Sequence, residues 1–189
     1  MNKISFITTN NFKFNQFTKR VHVDGLIFEQ LSVETPEIQA VNNREVAEFS
    51  AKWAAEKFNL PVLKEDVGMY IHSLGGFPGP YLSQVEKWIK SEGYLKLLDG
   101  ENDRSAHWEY AIAFCEPGGD PVSFYVQAEG VFSKEIKGEA GWFTDKVFIQ
   151  NGQTKTIGEL LFENTYVRKE DHYDRLKEFL LAKYANNNK

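Results

Sequence analysis

Cysteine is almost absent: Cys115 is the single thiol in 189 residues. One thiol cannot close an internal disulfide, which excludes an oxidised, disulfide-stapled scaffold. Histidine is scarce too, at four residues, with no His or Cys cluster at ligand spacing, so a structural zinc site is not expected. Nothing approaches the roughly 20 consecutive apolar residues of a membrane helix. The opening stretch from Met1 to Ile7 is too short for a signal peptide and turns polar at Thr8. A cytoplasmic protein without a membrane partner is the expectation. Positive charge is in deficit, 22 Lys and Arg against 27 Asp and Glu, for a net charge of -5. No basic stripe is available for a nucleic acid. A small phosphate ligand stays open, because one Lys, backbone amides and a metal can hold it. What is present is ordinary for a globular chain, 42% hydrophobic and 26% charged residues. The length suits a single domain over 1–189, large enough to form two closely packed lobes.

Ile4 to Thr8 reads as a short apolar strand, and the polar cluster Thr9-Asn10-Asn11 hands over to a helix over about 12–21. Leu26 to Val33 alternates as a second strand, broken at Pro36. Asn42 or Asn43 can cap a helix that carries Val46, Phe49 and Trp53 on one face. Pro61-Val62-Leu63 predicts a short buried strand with Glu65-Asp66 at its exit. Gly75-Gly76-Phe77-Pro78-Gly79-Pro80 is the densest loop signal. Beyond it, Val85, Trp88, Ile89, Leu95 and Leu98 suggest a broken helix ending at Gly100. His107 to Phe114 and Val122 to Ala128 form a hairpin around Pro117-Gly118-Gly119-Asp120. Thr156-Ile157-Gly158-Glu159 has the form of a capping box, and Leu176, Phe179, Leu180 and Tyr184 mark a last helix. The order of elements says α/β with a mixed sheet and flanking helices.

Three places can carry chemistry. Thr8-Thr9-Asn10-Asn11-Phe12-Lys13 lies where a helix N-terminus exposes amides and a positive dipole end, and Lys13 adds a full charge for a phosphate. The plainer reading is a capped helix with a solvated Lys. Glu37, Glu65 and Asp66 are carboxylates of the kind that hold Mg²⁺ together with substrate phosphates, or act as base toward water. Each taken singly reads equally as a surface acid. Trp142-Phe143-Thr144-Asp145-Lys146 sets aromatics beside a carboxylate, suited to stacking a flat base and accepting from its edge. The plainer reading there is a half-buried strand with Trp142 and Phe148 as core. His72 and His107 show no partner in the sequence and read as structural or solvated; Cys115 reads as a buried, inert thiol.

In order and separation these segments resemble the inosine triphosphate pyrophosphatase family. The family's T-x-N-x-x-K is matched by Thr8 to Lys13, its P-E-[IY]-Q-G by Pro36-Glu37-Ile38-Gln39-Ala40, and its K-A-x-x-A is echoed by Lys52-Trp53-Ala54-Ala55. Its V-x-E-D-T/S-G corresponds to Leu63-Lys64-Glu65-Asp66-Val67-Gly68. Its A-L-G-G-x-P-G-x-Y, the most specific of these motifs, corresponds to Ser73 through Tyr81. Gln16 stands where the family usually has Glu. The family's F-G-[YW]-D-P-x-F becomes Trp142 to Phe148, keeping Asp145 but losing the central aromatic and the Pro. The late S-H-R is nearest to Asp171-His172-Tyr173, with Arg168 or Lys169 standing in for the late Lys.

The resemblance implies a curved mixed central sheet with two lobes around a nucleotide cleft, usually in a homodimer. It implies a Mg²⁺-dependent enzyme, with Mn²⁺ as a possible substitute, that cleaves a non-canonical purine triphosphate such as ITP, dITP or XTP to monophosphate and pyrophosphate. The residues it assigns are Glu37 and Asp66 to the metal, and Asp66 and Lys13 to catalysis. To the nucleotide it assigns Thr8, Thr9, Asn10, Asn11, Lys13, Lys52, Val67, Gly68, Trp142, Phe143, Asp145 and His172. A nucleotide-binding protein on the same scaffold, with changed base specificity or no hydrolysis, is the alternative that Gln16 and the missing S-H-R motivate.

Overall fold

Central strands largely buried on both faces and helices with a single apolar face fix the architecture. The structure, a computed structural model, describes residues 2–36, 38–167 and 172–185. Element order is β1 (Asn2–Ile7), α1 (Asn11–Arg20), β2 (Leu26–Leu31), α2 (Asn43–Phe58), β3 (Val62–Ile71), a 3₁₀ turn His72–Leu74, β4 (Pro78–Gly79), α3 (Leu82–Leu97), β5 (Ser105–Cys115), β6 (Val122–Phe132), β7 (Phe148–Gln150), α4 (Ile157–Phe162) and α5 (His172–Ala185). The seven-stranded mixed sheet runs β2-β1-β3-β5-β6-β7, with β4 paired to β3. β1 is parallel to both β2 and β3, whereas β4 on β3 and β7 on β6 are antiparallel. Among the described residues no helix is long and apolar enough to cross a membrane.

The chain divides into two compact units. The first takes residues up to Asp66, Tyr110–Val126 and α5; the second takes Val67–Glu109 and the segment from Gln127 through α4. In the first unit, alternation along the strands sorts side chains into two layers. Ile4, Phe6, Leu63, Ile112 and Phe114 pack with Phe17 of α1 and with Tyr173, Leu176 and Leu180 of α5. Ile7, Val62, Ala111, Ala113 and Cys115 pack with Ala47, Ala51, Ala54 and Ala55 of α2. The alternation of bulky and small residues in β5 therefore marks two buried faces rather than one buried and one wet. The small side chains on the second face suit close approach of α2. Cys115 is buried in that layer, as expected, and burial pushes its thiol pKa up.

The second unit has an aromatic core in which Phe132 contacts Tyr94 at 5.7 Å and Phe148 at 6.0 Å between ring centroids, and Trp108 meets Phe148 edge-on. The expected broken helix is α3: Lys90, with φ 54° and ψ -167°, interrupts it. At Gly79 the backbone has φ 57° and a Cβ would stand 3.3 Å from the Tyr70 ring, so glycine is suited there on two counts. The capping box at α4 is complete, Thr156 accepting from the Glu159 amide at 3.2 Å and Glu159 accepting from the Thr156 amide at 2.8 Å.

Two expectations are corrected. β3 runs from Val62 through Ile71, so Glu65 and Asp66 lie within the strand and not at its exit. Trp142 is 52% exposed and lies outside any strand, whereas Phe148 is buried in β7. Trp142 is therefore not core.

Candidate active site

The loop from β1 into α1 is wired by its own side chains. Asn10 is the N-cap, and its Oδ1 accepts the amides of Phe12 at 2.9 Å and Lys13 at 3.3 Å. Thr8 Oγ1 accepts the Asn10 amide at 3.1 Å, and Gln30 of β2 donates to the Thr8 carbonyl and to Asn11 Oδ1, each at 3.0 Å. Two amides that sequence reasoning offered to an anion are thus already satisfied by the cap. What stays available for negative charge is the helix dipole and the half-buried Lys13, which has no acidic partner among the described residues. Thr9 and Asn11 are exposed beside it.

β3 brings Asp66 to the α2 side of the sheet. Asn42 caps α2 through the Glu45 amide at 2.9 Å, which releases Asn43 for another task. Fully buried, Asn43 donates its side-chain amide to Asp66 Oδ2 at 2.5 Å. Sequence reasoning missed Asn43 as a site residue; its signal was the doubled Asn, only one of which a cap needs. Glu65 takes the other face of the strand. It is 5% exposed, accepts the Tyr173 hydroxyl at 2.6 Å, and lies 3.6 Å from His172 Nε2. His172 is itself fully buried and stacks on Tyr110 at 5.9 Å. Lys52 projects from α2 to Asp120 at 3.0 Å, a pairing that raises its pKa. Glu37, and with it Arg168, Lys169 and Asp171, lies outside the described residues.

In the second unit, Val67 and Gly68 continue β3, and the 142–145 segment forms a tight turn. The Trp142 amide donates to Asp145 Oδ2 at 2.7 Å. A Cβ on Gly141, where φ is 82°, would stand 2.5 Å from that same oxygen, so the turn suits glycine. Two buried α3 side chains, one on each side of the Lys90 break, pin the segment. Glu86 accepts both the Thr144 amide, at 2.9 Å, and the Thr144 hydroxyl. Ser91 donates to the Phe143 carbonyl at 2.7 Å. Burial raises the Glu86 pKa, with the two Thr144 donors opposing the shift. Glu86 and Ser91 carry no motif and were not foreseen. Asp145 is buried and holds the turn, Phe143 is half-buried, and Trp142 offers its ring to solvent.

A capped helix start with a nearby Lys, and a parallel neighbouring strand that presents an amide-held carboxylate, define an α/β protein with a positive group just after one strand of its first unit and a negative group on the adjacent strand. More narrowly, the chain belongs to the Ham1 family, whose model matches residues 4–167. It is 36% identical over 185 residues to a dITP/XTP pyrophosphatase of Methanopyrus kandleri, covering 98% of this chain and 97% of that one. It is 38% identical over 160 residues to a dITP/XTP pyrophosphatase of Methanosarcina mazei, covering 85% and 86% of the two chains. Among solved structures, a HAM1 protein from Coxiella burnetii superposes with a TM-score of 0.84 at 24% identity, over 96% of this chain and all of that one. The α/β fold with a mixed central sheet and flanking helices expected from the sequence is the fold shared with that structure, and the sheet has seven strands.

Proposed function

We propose that this chain is a nucleoside triphosphate pyrophosphatase acting on a non-canonical purine nucleotide of the dITP, ITP or XTP kind. Water attacks the α-phosphorus, the bond from that phosphorus to the bridging oxygen breaks, and monophosphate, pyrophosphate and a proton are released. The observation that carries the reading is identity of 36% over 98% of the chain to a dITP/XTP pyrophosphatase. The local chemistry agrees with it. Lys13, without an acidic partner among the described residues, is assigned to the phosphate chain, with Thr8, Thr9, Asn10 and Asn11 shaping the loop around it. Asp66, its orientation held by buried Asn43, is assigned to orient the attacking water and accept its proton. Trp142 is assigned to stack the base, with Phe143 beside it and Asp145 setting the turn that presents them. Lys52, Val67, Gly68 and His172 are retained in the proposed site on the strength of the family motifs.

A divalent cation, Mg²⁺ with Mn²⁺ as a substitute, completes the proposal. The donor chemistry fits: Asp66 offers a hard carboxylate on a rigid strand, and a buried amide fixes one of its oxygens. Asp66 would hold the ion, and Glu37 is the second carboxylate proposed. When bound, such an ion neutralises phosphate charge and polarises the phosphoryl oxygens. The assembly proposed is a homodimer in the cytoplasm, checked by mass in solution and by fractionation.

Purified protein is expected to release pyrophosphate from at least one of ITP, XTP and dITP when Mg²⁺ or Mn²⁺ is supplied. No release from any of them with either metal overturns the reading. Gln16, where the family usually has Glu, favours one alternative, a nucleotide-binding protein without hydrolysis. Calorimetric binding with no product supports that alternative.

A further inference from the structure

The second unit gathers three side chains that the sequence keeps far apart. His72 follows β3 directly, His107 lies on β5 and Glu129 on β6, and these strands are successive neighbours in the sheet. One ligand atom from each, an imidazole nitrogen from either histidine and a carboxylate oxygen from Glu129, lies within 4.8 Å of the other two. Alternation along β5 turns His107 away from buried Trp108 and toward the side that carries the polar pair Glu109 and Gln127.

The hydrogen bonds around His72 prepare it as a ligand. Ser105 Oγ lies 2.6 Å from Asp103 Oδ1, so the hydroxyl proton goes to that carboxylate. The same oxygen then accepts from His72 Nδ1 at 2.8 Å. With its proton on Nδ1, His72 presents the Nε2 lone pair to His107 Nδ1, 3.0 Å away. Coordination requires only that the His107 Nδ1 proton move to Nε2, leaving the ring neutral. The Tyr70 ring, stacked on His107 at 4.9 Å with 4° between the planes, holds the imidazole flat. Metal-bound histidines are characteristically oriented in this way, through a hydrogen bond on the nitrogen away from the ion.

We propose that His72, His107 and Glu129 form a binding site for a divalent transition cation of the zinc class. Tetrahedral zinc with bonds of about 2.0–2.1 Å spaces its ligand atoms about 3.3 Å apart. The two imidazole nitrogens are already near that spacing, at 3.0 Å, and a carboxylate oxygen of the exposed Glu129 lies within 4.8 Å of a ligand atom of each histidine. Two imidazoles and one carboxylate select zinc over magnesium, which prefers an all-oxygen shell. The site is independent of the hydrolytic reading above: it uses none of the residues assigned to the nucleotide.

The test titrates Zn²⁺ into the full chain against a chromophoric chelator, in buffer holding millimolar Mg²⁺. One equivalent is expected to bind to the natural protein. His72→Asn and His107→Asn should each weaken it by at least about 100-fold, and Ser105→Ala by about 10- to 100-fold through loss of orientation. His22→Asn, at an exposed histidine elsewhere, should change nothing. Glu129→Gln, at an exposed strand position, serves as the variant least able to disturb folding, and circular dichroism checks each protein. Binding of Co²⁺ with the strong visible absorption of a tetrahedral complex, lost in Glu129→Gln, supports the same site. Less than one equivalent of Zn²⁺ bound, unchanged affinity in both histidine variants, or full displacement by Mg²⁺ overturns it.

Discussion

Glu86 is the sharpest place to test whether the interior chemistry is understood. The side chain is 3% exposed, and burial raises its carboxyl pKa above the ordinary value of 4.5. Once the pH passes the unfolded-chain value, the unfolded state has already released this proton while the native state still holds it. Native stability therefore falls as pH rises from about 4.5 through the folded value, with the favourable contribution complete only below the unfolded value. Inside that window the loss approaches about 1.4 kcal/mol per pH unit for one proton. Glu86→Gln removes the titration but keeps an oxygen that can accept from the Thr144 amide and hydroxyl, and it matches a protonated Glu in carrying a buried donor. The two proteins should thus be closest in stability at acid pH, with the variant gaining on the natural protein as pH rises. Urea melts at half-unit steps from pH 4 to 8 read the difference directly. Each kcal/mol corresponds to about 2–4 °C in a companion thermal series. Thr144→Val is the complement. It deletes the hydroxyl donor that favours the charged form, so its destabilisation should grow with pH toward about 1.5–3 kcal/mol. Parallel curves for the natural protein and Glu86→Gln, or a variant that loses ground as pH rises, would refute the assignment.

Gly130→Ala places a methyl against the Ile149 carbonyl oxygen and the Phe148 ring. A loss of about 1–3 kcal/mol is expected, read as a lower melting temperature, and an unchanged melt would contradict the packing. Thr156→Ala dismantles the α4 capping box and a 2.8 Å bond to the Lys137 carbonyl; a urea midpoint should report about 1–2 kcal/mol. Asp66→Asn should reduce pyrophosphate release by at least about 100-fold with little change in melting temperature, since the Asn oxygen can still accept from Asn43. Retained turnover would remove Asp66 from the reaction.

Local signals in the sequence were good guides to what a few adjacent residues decide. The N-cap region before α1, the interruption in α3 and the Thr156–Glu159 box depend on neighbours within one helical turn, and each is found in the structure. The errors fall where distant residues decide. Glu65-Asp66 looked like a strand exit because two acids rarely lie within a buried strand. Tyr173, over a hundred positions later, and Asn43, more than twenty earlier, supply the partners that let the strand continue. Trp142 looked like core by composition, yet Glu86 and Ser91 of α3 hold its segment as a turn and leave the indole outside. His72, His107 and Glu129 show no ligand spacing because sheet order, not sequence distance, brings them together.

The adjacent acids of β3 show how a single backbone rule divides labour between neighbours. Successive side chains in a strand point to opposite faces, so Glu65 and Asp66 cannot share an environment. Glu65 enters the layer of Tyr173 and His172, where a carboxylate with 5% exposure must be matched by hydrogen bonds to be tolerated at all. Tyr173 and His172 both belong to α5, so Glu65 ties the last helix to the sheet. Asp66 faces α2, is only half-buried, and is held there by an Asn43 amide. A carboxylate held in place while still reached by solvent can serve a water or a cation; one enclosed by a phenol and an imidazole serves the fold. The motif Glu65-Asp66 is thus a buried acid that serves the fold followed by one left within reach of solvent, the one proposed for the chemistry, and a one-residue slip in the register of β3 would exchange them.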